Sequence, residues 1–461
     1  MATVQMEQKA EDWRILLFAS KGSELLVLRR LSGFGLPVLR IPPQERIAAS
    51  LNEEARRVWN VETICVAPCH IPDPNRNSTQ PRYYVMEVLN NEDLSRIAPK
   101  AMDVAALNEN SFADLRDYLA VRRAMNLDAD LHQTHGPFSE FATFEKISTW
   151  VAQQLVPLER RWDGAFRQLH ASDAFALIRF QTNGSAVWFK ATGEPNRREL
   201  AITETLAARF PQYVPRIIAV RRDWNAWLSD EIEGTQLDSA QDFGSWCCAA
   251  RTLAELQVGS IGHTSPILDA GAHDSRFAKL HSQIPPFFAA MEELMEAQVK
   301  TPPQRLSSQE MRIVQMQLTE ALGALEATGI PDALNHFDLN PGNVIVGGGK
   351  SRFLDWAETA IGNPFFTFEY LRQHYLRALP HDADTEAEFR ESYVNVWRSL
   401  VPQSKIERAT ELVPLIAPFA FAVTLSWRDA HQKAEPKVAG FLRSLARRMQ
   451  REAEQLTRCA A

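Results

Sequence analysis

Apolar and polar positions along the chain fall into stretches of different period. Trp13 to Ala19 and Glu24 to Arg30 are runs of β-formers separated by Lys21-Gly22-Ser23, the grammar of a hairpin. Ile47, Leu51, Ala55 and Val58 recur at helical spacing and predict a helix from about Pro43 to Trp59. Thr63 to Ala67 and Tyr83 to Leu89 read as a strand pair, and a helix around Phe112 to Met125 closes this first unit. The polar stretch from Asn126 to Phe144, with its His, Gly and Pro, marks a boundary. A helix is expected from Phe144 to about Val156. Strands follow at Phe175 to Phe180 and Val187 to Ala191, around the turn Gln181 to Ser185. A helix from about Asn196 to Phe210 precedes strands at Pro215 to Val220 and Trp224 to Asp230. From Gly244 the period is helical, broken near Asn335 to Trp356 by two short β runs. Strands first and helices later give an α+β fold of two lobes. The expected divisions are a separate α/β domain at 1–125, a linker at 126–145, a β-rich lobe at 146–232 and a helical lobe at 233–461.

At 461 residues the chain is longer than one core ordinarily serves, which agrees with that division. A net charge of -7 argues against a nucleic-acid partner, which calls for a basic excess. Arg29-Arg30, Arg221-Arg222 and Arg447-Arg448 read as solvated faces, most with acids close by. The cysteine count is odd and the first residues are polar through Arg14, so a reducing, cytoplasmic setting is expected. The most apolar stretch, Val413 to Trp427, is interrupted by Pro414 and Pro418 and is shorter than the ~20 residues a membrane span needs. A buried helix is expected there, and no membrane partner.

The chemistry concentrates in Asn335-His336-Phe337-Asp338-Leu339-Asn340-Pro341-Gly342-Asn343-Val344, which runs through a Gly-rich turn into Phe353-Leu354-Asp355-Trp356. An acid and an amide sit in a loop between apolar runs, and a second acid ends the next strand. Phosphoryl transfer to a hydroxyl needs one carboxylate to orient the hydroxyl and accept its proton, and oxygen ligands to hold Mg²⁺ on the phosphates. Asp338 suits the first task, Asn343 and Asp355 the second. The hairpin folds Asp355 back toward Asn343.

The pattern H-x-D-x-x-x-x-N followed by L-D-W resembles the aminoglycoside phosphotransferase and choline kinase group of small-molecule kinases, relatives of the protein kinases. The resemblance covers roughly residues 146 to 440 and implies a bilobal kinase-like fold. It also implies ATP and Mg²⁺ as cofactors and a small-molecule hydroxyl, such as that of an aminoglycoside-like antibiotic or other natural product, as acceptor. By that analogy Asp338 is the catalytic aspartate, His336 supports the loop, and Asn343 and Asp355 bind Mg²⁺. Val187-Trp188-Phe189-Lys190 resembles the strand whose lysine holds the α- and β-phosphates, with Glu199 or Glu204 as its partner, Glu199 fitting better. The turn Thr182-Asn183-Gly184-Ser185 would cover the phosphates. The segment Ser229-Asp230-Glu231-Ile232 resembles the hinge that meets the adenine. Two positions depart from the family: Gln257 follows Leu256 where a histidine is usual, and Phe366-Thr367-Phe368-Glu369 stands where a further Asp often precedes a helix. Asp355 is followed by Trp356-Ala357 rather than the D-F-G of protein kinases.

Other signals weigh less. Gly347 to Ser351 looks like the tail of a phosphate-binding loop but lacks its first glycine and a following helix, so a hairpin turn is expected. Cys65 to His70 falls short of a four-ligand zinc set. Leu36-Pro37, Glu45 and Glu54 resemble part of the Nudix hydrolase box. Glu53 replaces that box's Arg, Arg57 and Val58 its later glutamates, and Asn60 its glycine. Residues 1 to about 125 read as a Nudix-like fold without hydrolase activity, or as an unrelated α+β module. The rival functions are an inert kinase-like sensor module and a nucleotide hydrolase acting through this N-terminal unit.

Overall fold

The computed structural model describes residues 10–43, 46–71, 81–90, 101–125, 140–424 and 436–460. Glu45 and most of the expected linker lie outside the described residues. The chain divides into two compact units, one of Met1–Leu200 with Ile217–Glu231, the other of Ala201–Arg216 with Ile232–Ala461.

The first unit opens with strands β1 (Glu11–Ala19), β2 (Glu24–Leu26), β3 (Leu28–Arg30), β4 (Gly33–Gly35), β5 (Val38–Ile41), β6 (Thr63–Cys69), β7 (Arg82–Val88) and β8 (Ala101–Asp103). Helix α1 spans Ile47–Trp59 and α2 spans Leu115–Met125. The main sheet runs β6-β7-β1-β2-β8, with β5 also on β1 and β3-β4 a separate ribbon. The hairpin expected around Lys21 forms, with Phe18 opposite Leu25, but its second strand breaks after Leu26 and continues as β3. Central strand β1 pairs in parallel with β7 and buries both faces. Ile15, Leu17 and Ala19 pack with Ala48, Leu51 and Ala55 of α1, whereas Leu16 and Phe18 pack with Ala120, Val121 and Ala124 of α2. A strand buried on both sides reads as a continuous apolar run, as Ile15 to Ala19 does. On α1, Glu54 is held by both nitrogens of Arg57, at 2.7 and 2.6 Å, and Asn60 caps the helix in the left-handed conformation at φ 55°.

The same unit continues with α3 (Thr143–Leu155), β9 (Trp162–Ala171), β10 (Phe175–Thr182), β11 (Val187–Thr192), the first residues of α4 (Glu199–Arg209), β12 (Ile217–Arg221) and β13 (Ala226–Asp230). The sheet order is β12-β13-β11-β10-β9. Helix α3 covers one face, where Phe144, Ile147, Val151 and Leu155 meet Ile178, Phe180, Val187 and Phe189. Strand β9 is absent from the sequence reading. It carries a β-bulge: Leu177 pairs with His170 but Ile178 with Gln168, so Leu169 is the extra residue.

The N-terminal sheet and this second sheet belong to one unit rather than to two domains joined by a linker. Edge strand β6 leaves main-chain groups to satisfy. Gln168 supplies them: its Nε2 donates to the Cys65 carbonyl at 2.8 Å, and its Oε1 accepts from the Cys65 N–H at 2.8 Å and from Asn52 Nδ2 at 2.9 Å. The Tyr84 hydroxyl donates to the Ala171 carbonyl at 2.5 Å. A side-chain amide thus does the work of a strand residue.

The second unit contains β14 (Thr235–Gln236), α5 (Phe243–Ser260), α6 (Thr264–Asp269), β15 (His273–Ser275), α7 (Phe277–Glu296), α8 (Ser308–Glu326), β16 (Ala333–His336), β17 (Val344–Gly347), β18 (Lys350–Phe353) and β19 (Thr359–Gly362). Helices α9 (Phe365–Ala378), α10 (Ala383–Trp397), α11 (Gln403–Thr424) and α12 (Pro436–Ala460) complete it. One large core joins the helices around two three-stranded sheets, β14-β17-β18 and β15-β19-β16. The apolar stretch after Val413 lies in α11 with Leu415, Ile416, Phe419 and Ala420 buried. No helix among the described residues is long and apolar enough to cross a membrane. Gly347 to Lys350 is a tight hairpin, with Gly348 and Gly349 at φ 60° and 73°, values that favour glycine.

Replacing Gln168 by Leu strands the Cys65 N–H and carbonyl, each a buried main-chain group. A loss of about 2–4 kcal/mol is expected from two such groups left unmade, read as a lower urea midpoint with the slope unchanged. A Gln168→Leu protein as stable as the parent refutes this account of the junction.

Candidate functional site

Within the first unit, the half-open face of the second sheet carries the basic anchor. Lys190 sits in β11, and its Nζ meets Oε1 of Glu199, the first residue of α4, at 2.5 Å. The side chains are 12% and 2% exposed, so both charges are withdrawn from water and depend on each other. Of the two glutamates left open by the sequence, the one beside Lys190 is Glu199. Aromatic rings complete the ammonium's surroundings: Phe175 at 5.2 Å and Trp227 at 5.7 Å from their centroids.

Strand register decides which turn lies beside the anchor. Phe175 pairs with Thr192 and Leu177 with Lys190, so the turn Ser172-Asp173-Ala174 between β9 and β10 is next to it. It is closed by Gly193 N–H donating to Ala174 carbonyl at 2.7 Å and Ser172 N–H to Phe175 carbonyl at 2.9 Å. Ser185 is at the other end of the β10–β11 hairpin, beyond the Phe180–Val187 pair, where its carbonyl accepts from Arg160 at 3.1 Å and from the Thr182 hydroxyl at 2.7 Å. The turn Thr182 to Ser185 therefore lies at the far end of this hairpin from Lys190, a placement that depends on strand β9.

In the segment expected as a hinge, Ser229 is buried in β13 opposite Trp188. Glu231 is committed in two ways: its N–H donates to the Ala186 carbonyl at 3.0 Å, and its carboxylate accepts from Arg179 at 2.6 and 2.8 Å. That bidentate pair holds its carboxyl below the ordinary value. Both the N–H and the carboxylate of Glu231 thus have partners within the first unit.

The second unit holds the acidic loop. Strand β16 ends at His336, and Asp338 follows on a turn where the Asn340 N–H donates to the Asp338 carbonyl at 2.8 Å. Asn340 Nδ2 donates to Asp338 Oδ1 at 3.1 Å. Asn343 Nδ2 donates to Asp338 Oδ2 at 3.2 Å and to its carbonyl at 2.9 Å. Burial pushes the Asp338 carboxyl up, and the charge of Asp355 adds to this. The Asn340 and Asn343 hydrogen bonds and the charge of His336 pull the other way. Asp355 itself stands at φ 63°, a conformation uncommon outside glycine, Asn and Asp and one that gathers at functional sites. The Leu354 N–H donates to the Asn343 carbonyl at 2.9 Å, which brings the second acid back beside the amide.

Support for the loop comes from hydrogen bonds and ring contacts beneath it. His336 meets the Leu354 carbonyl through Nε2 at 2.8 Å, and its ring lies tilted against that of Trp356 with centroids 4.6 Å apart. Its main-chain N–H donates to Oγ1 of Thr367 at 3.0 Å, and the Thr367 hydroxyl donates to Oδ1 of Asn335 at 2.7 Å. Thr367 thereby ties the end of β16 to α9. Gln257 is fully buried and donates to the carbonyls of Leu334 and Pro364 while accepting from the Tyr393 hydroxyl at 2.7 Å. Gln257 and Thr367 are both built into the scaffold under the loop.

Tyr370 of α9 is a neighbour that the sequence reading missed. Burial, then the charges of Asp338 and Glu358, push its hydroxyl up to about 12. Its ring stacks on Phe421 at 5.5 Å. Only its place seven residues after Asn363 in an apolar helix was visible beforehand.

Known proteins can be set beside this geometry. Among solved structures, the chain is similar to a choline kinase from Cryptosporidium parvum at 13% identity and TM-score 0.49, covering 69% of this chain and 97% of that one. It is similar to the macrolide 2'-phosphotransferase MphH from Brachybacterium faecium at 14% identity and TM-score 0.42, covering 64% and 98%. It is also similar to a spectinomycin phosphotransferase in complex with ADP and spectinomycin, at 12% identity and TM-score 0.39, covering 65% and 98%. No curated protein matches. The stretch from residue 189 to residue 400, which holds Lys190, Glu199, Asp338, Asn343 and Asp355, matches the model of the phosphotransferase enzyme family APH.

Proposed function

We propose that the protein transfers the γ-phosphoryl group of Mg·ATP to a hydroxyl of a small molecule, of the antibiotic, aminoglycoside-like or other natural-product class. The observation that carries this reading is the buried Lys190–Glu199 pair at 2.5 Å, in a chain whose acidic loop holds Asp338 by two asparagine amides. The family match over 189–400 supports it.

In this reading Lys190, oriented by Glu199, binds the α- and β-phosphates, and the turn Ser172 to Ala174 lies over them. Asp338 accepts a hydrogen bond from the acceptor hydroxyl. As the new O–P bond forms and the bond between the γ-phosphorus and the ADP oxygen breaks, the hydroxyl proton passes to the Asp338 carboxylate. Its raised proton affinity suits that task.

The residues present fit a magnesium ion, which takes hard oxygen ligands. The Asn343 amide nitrogen is spent on Asp338, which leaves its carbonyl oxygen as a donor, and Asp355 supplies a carboxylate. Asp355 raises the Asp338 carboxyl through like charge, and a divalent cation would relieve that repulsion. When bound, Mg²⁺ offsets charge on the transferring phosphate.

The decisive assay is a coupled ADP-release screen with Mg·ATP against aminoglycosides, other antibiotics, amino alcohols and sugars. Asp338→Asn is expected to lower kcat by about 10²–10⁴-fold, the usual range for losing a general base, with ADP affinity nearly unchanged. An equal loss of ADP affinity would count against the role. Asp355→Ala is expected to abolish turnover, and parent-like activity in that variant would sink the metal assignment. Protonation removes the base, so kcat/KM falls as pH drops through the Asp338 pKa. That limb is expected above the ordinary 3.8 because the folded value is raised; a limb at or below 3.8 rejects it.

A further inference from the structure

Four residues stand opposite one another across neighbouring strands: His170 in β9, Leu177 in β10, Lys190 in β11 and Trp227 in β13. Residues paired in this way project from one face of a sheet. It is the half-open face, since the other, with Ile178, Phe180 and Phe189, is buried beneath α3. His170 reaches it through the bulge at Leu169. In a regular strand Gln168 and His170, two residues apart, would share a side. With the bulge, Gln168 follows Ile178 to the buried face and His170 follows Leu177 to the side of Lys190.

The imidazole is close to the anchor. Its ring lies 4.7 Å from that of Phe175, and the Lys190 ammonium lies 5.2 Å from the same ring. The turn Ser172-Asp173-Ala174 begins two residues further on. Burial, then the charge of Lys190, hold His170 below its ordinary pKa of 6.5, so the ring is neutral at neutral pH and offers one N–H donor.

We propose that His170 is a further nucleotide-binding residue, donating that N–H to a phosphate oxygen of the nucleotide that Lys190 anchors. The proposal rests on the phosphotransferase reading above. Glu199 already balances the ammonium, so a second cation on this face would repel it while the site stands empty. A neutral donor adds a hydrogen bond to a polyanion without that cost.

The test compares ADP and adenosine affinities, by calorimetry and by competition with a fluorescent nucleotide, for the parent, His170→Ala, His170→Gln and Lys190→Ala. Removing one hydrogen bond to a charged group is expected to weaken ADP about tenfold in His170→Ala. Adenosine, which has no phosphate, is expected to bind His170→Ala as it binds the parent. His170→Gln, which keeps an N–H donor, is expected to recover part of the loss, and KM for Mg·ATP rises in His170→Ala with kcat little changed. ADP affinity unchanged in His170→Ala but lost in Lys190→Ala overturns this inference and leaves the phosphotransferase reading standing. Equal losses for ADP and adenosine also overturn it, because they report a distorted sheet rather than a phosphate contact. A parent protein that binds no ADP overturns both.

Discussion

A lysine ammonium withdrawn from water needs a carboxylate held in place, and the pairing of Lys190 with Glu199 sets conditions that the surrounding chain must meet. The strand must end its run of apolar residues with Lys190 facing the open side, and a helix must start where Glu199 can reach it. The chain between them is tied down for that purpose. Asn225 Nδ2 donates to the carbonyls of Thr192 and Arg197 at 2.8 and 2.9 Å, and the Glu199 N–H donates to the Asn196 carbonyl at 3.0 Å. Phe175 and Trp227 then present ring faces to the ammonium rather than more charge. The acidic loop follows another rule, since its carboxylate is placed by amide donors and its scaffold by neutral hydrogen bonds among Gln257, Asn335, Thr367 and Tyr393.

The parts legible in the sequence are those whose chemistry is local. Asp338, Asn340 and Asn343 lie within one turn, so spacing alone places their side chains together. The Gly347–Lys350 hairpin is legible because two consecutive glycines permit positive φ. Strand β9 was not legible because Asp163, Gly164 and Ala165 are exposed and interrupt the alternation, and its bulge disrupts what remains. Without β9 only the β10–β11 turn is visible, whereas register puts the turn Ser172–Ala174 beside Lys190. The partner of Glu231 is hidden for a related reason: Arg179 is across the sheet, at a separation that no motif encodes.

The N-terminal module shows the same limit at larger scale. Its two-sided core was readable as strands and helices, and the Nudix-like overlay remains a proposal. On α1, Glu54 is occupied by Arg57, the residue standing where that box would have a glutamate, and the same pair holds the Glu54 carboxyl below its ordinary value. What composition could not reveal is that the module joins the second sheet as one unit. That union depends on Gln168, whose partner Cys65 is more than a hundred residues away in sequence.

The bulge at Leu169 also constrains how this gene can change. Side-chain direction alternates along a strand, so a change that drew Leu169 into the regular ladder would set Gln168 and His170, two residues apart, on a common side. One surface would gain both residues and the other neither. A lineage carrying that change would have to give up either the fastening to β6 or the imidazole beside Lys190. Relatives that keep both features are expected either to hold an extra residue out of the ladder at this point or to lack the Leu169 position altogether, because adjacent residues of a regular strand also face opposite sides.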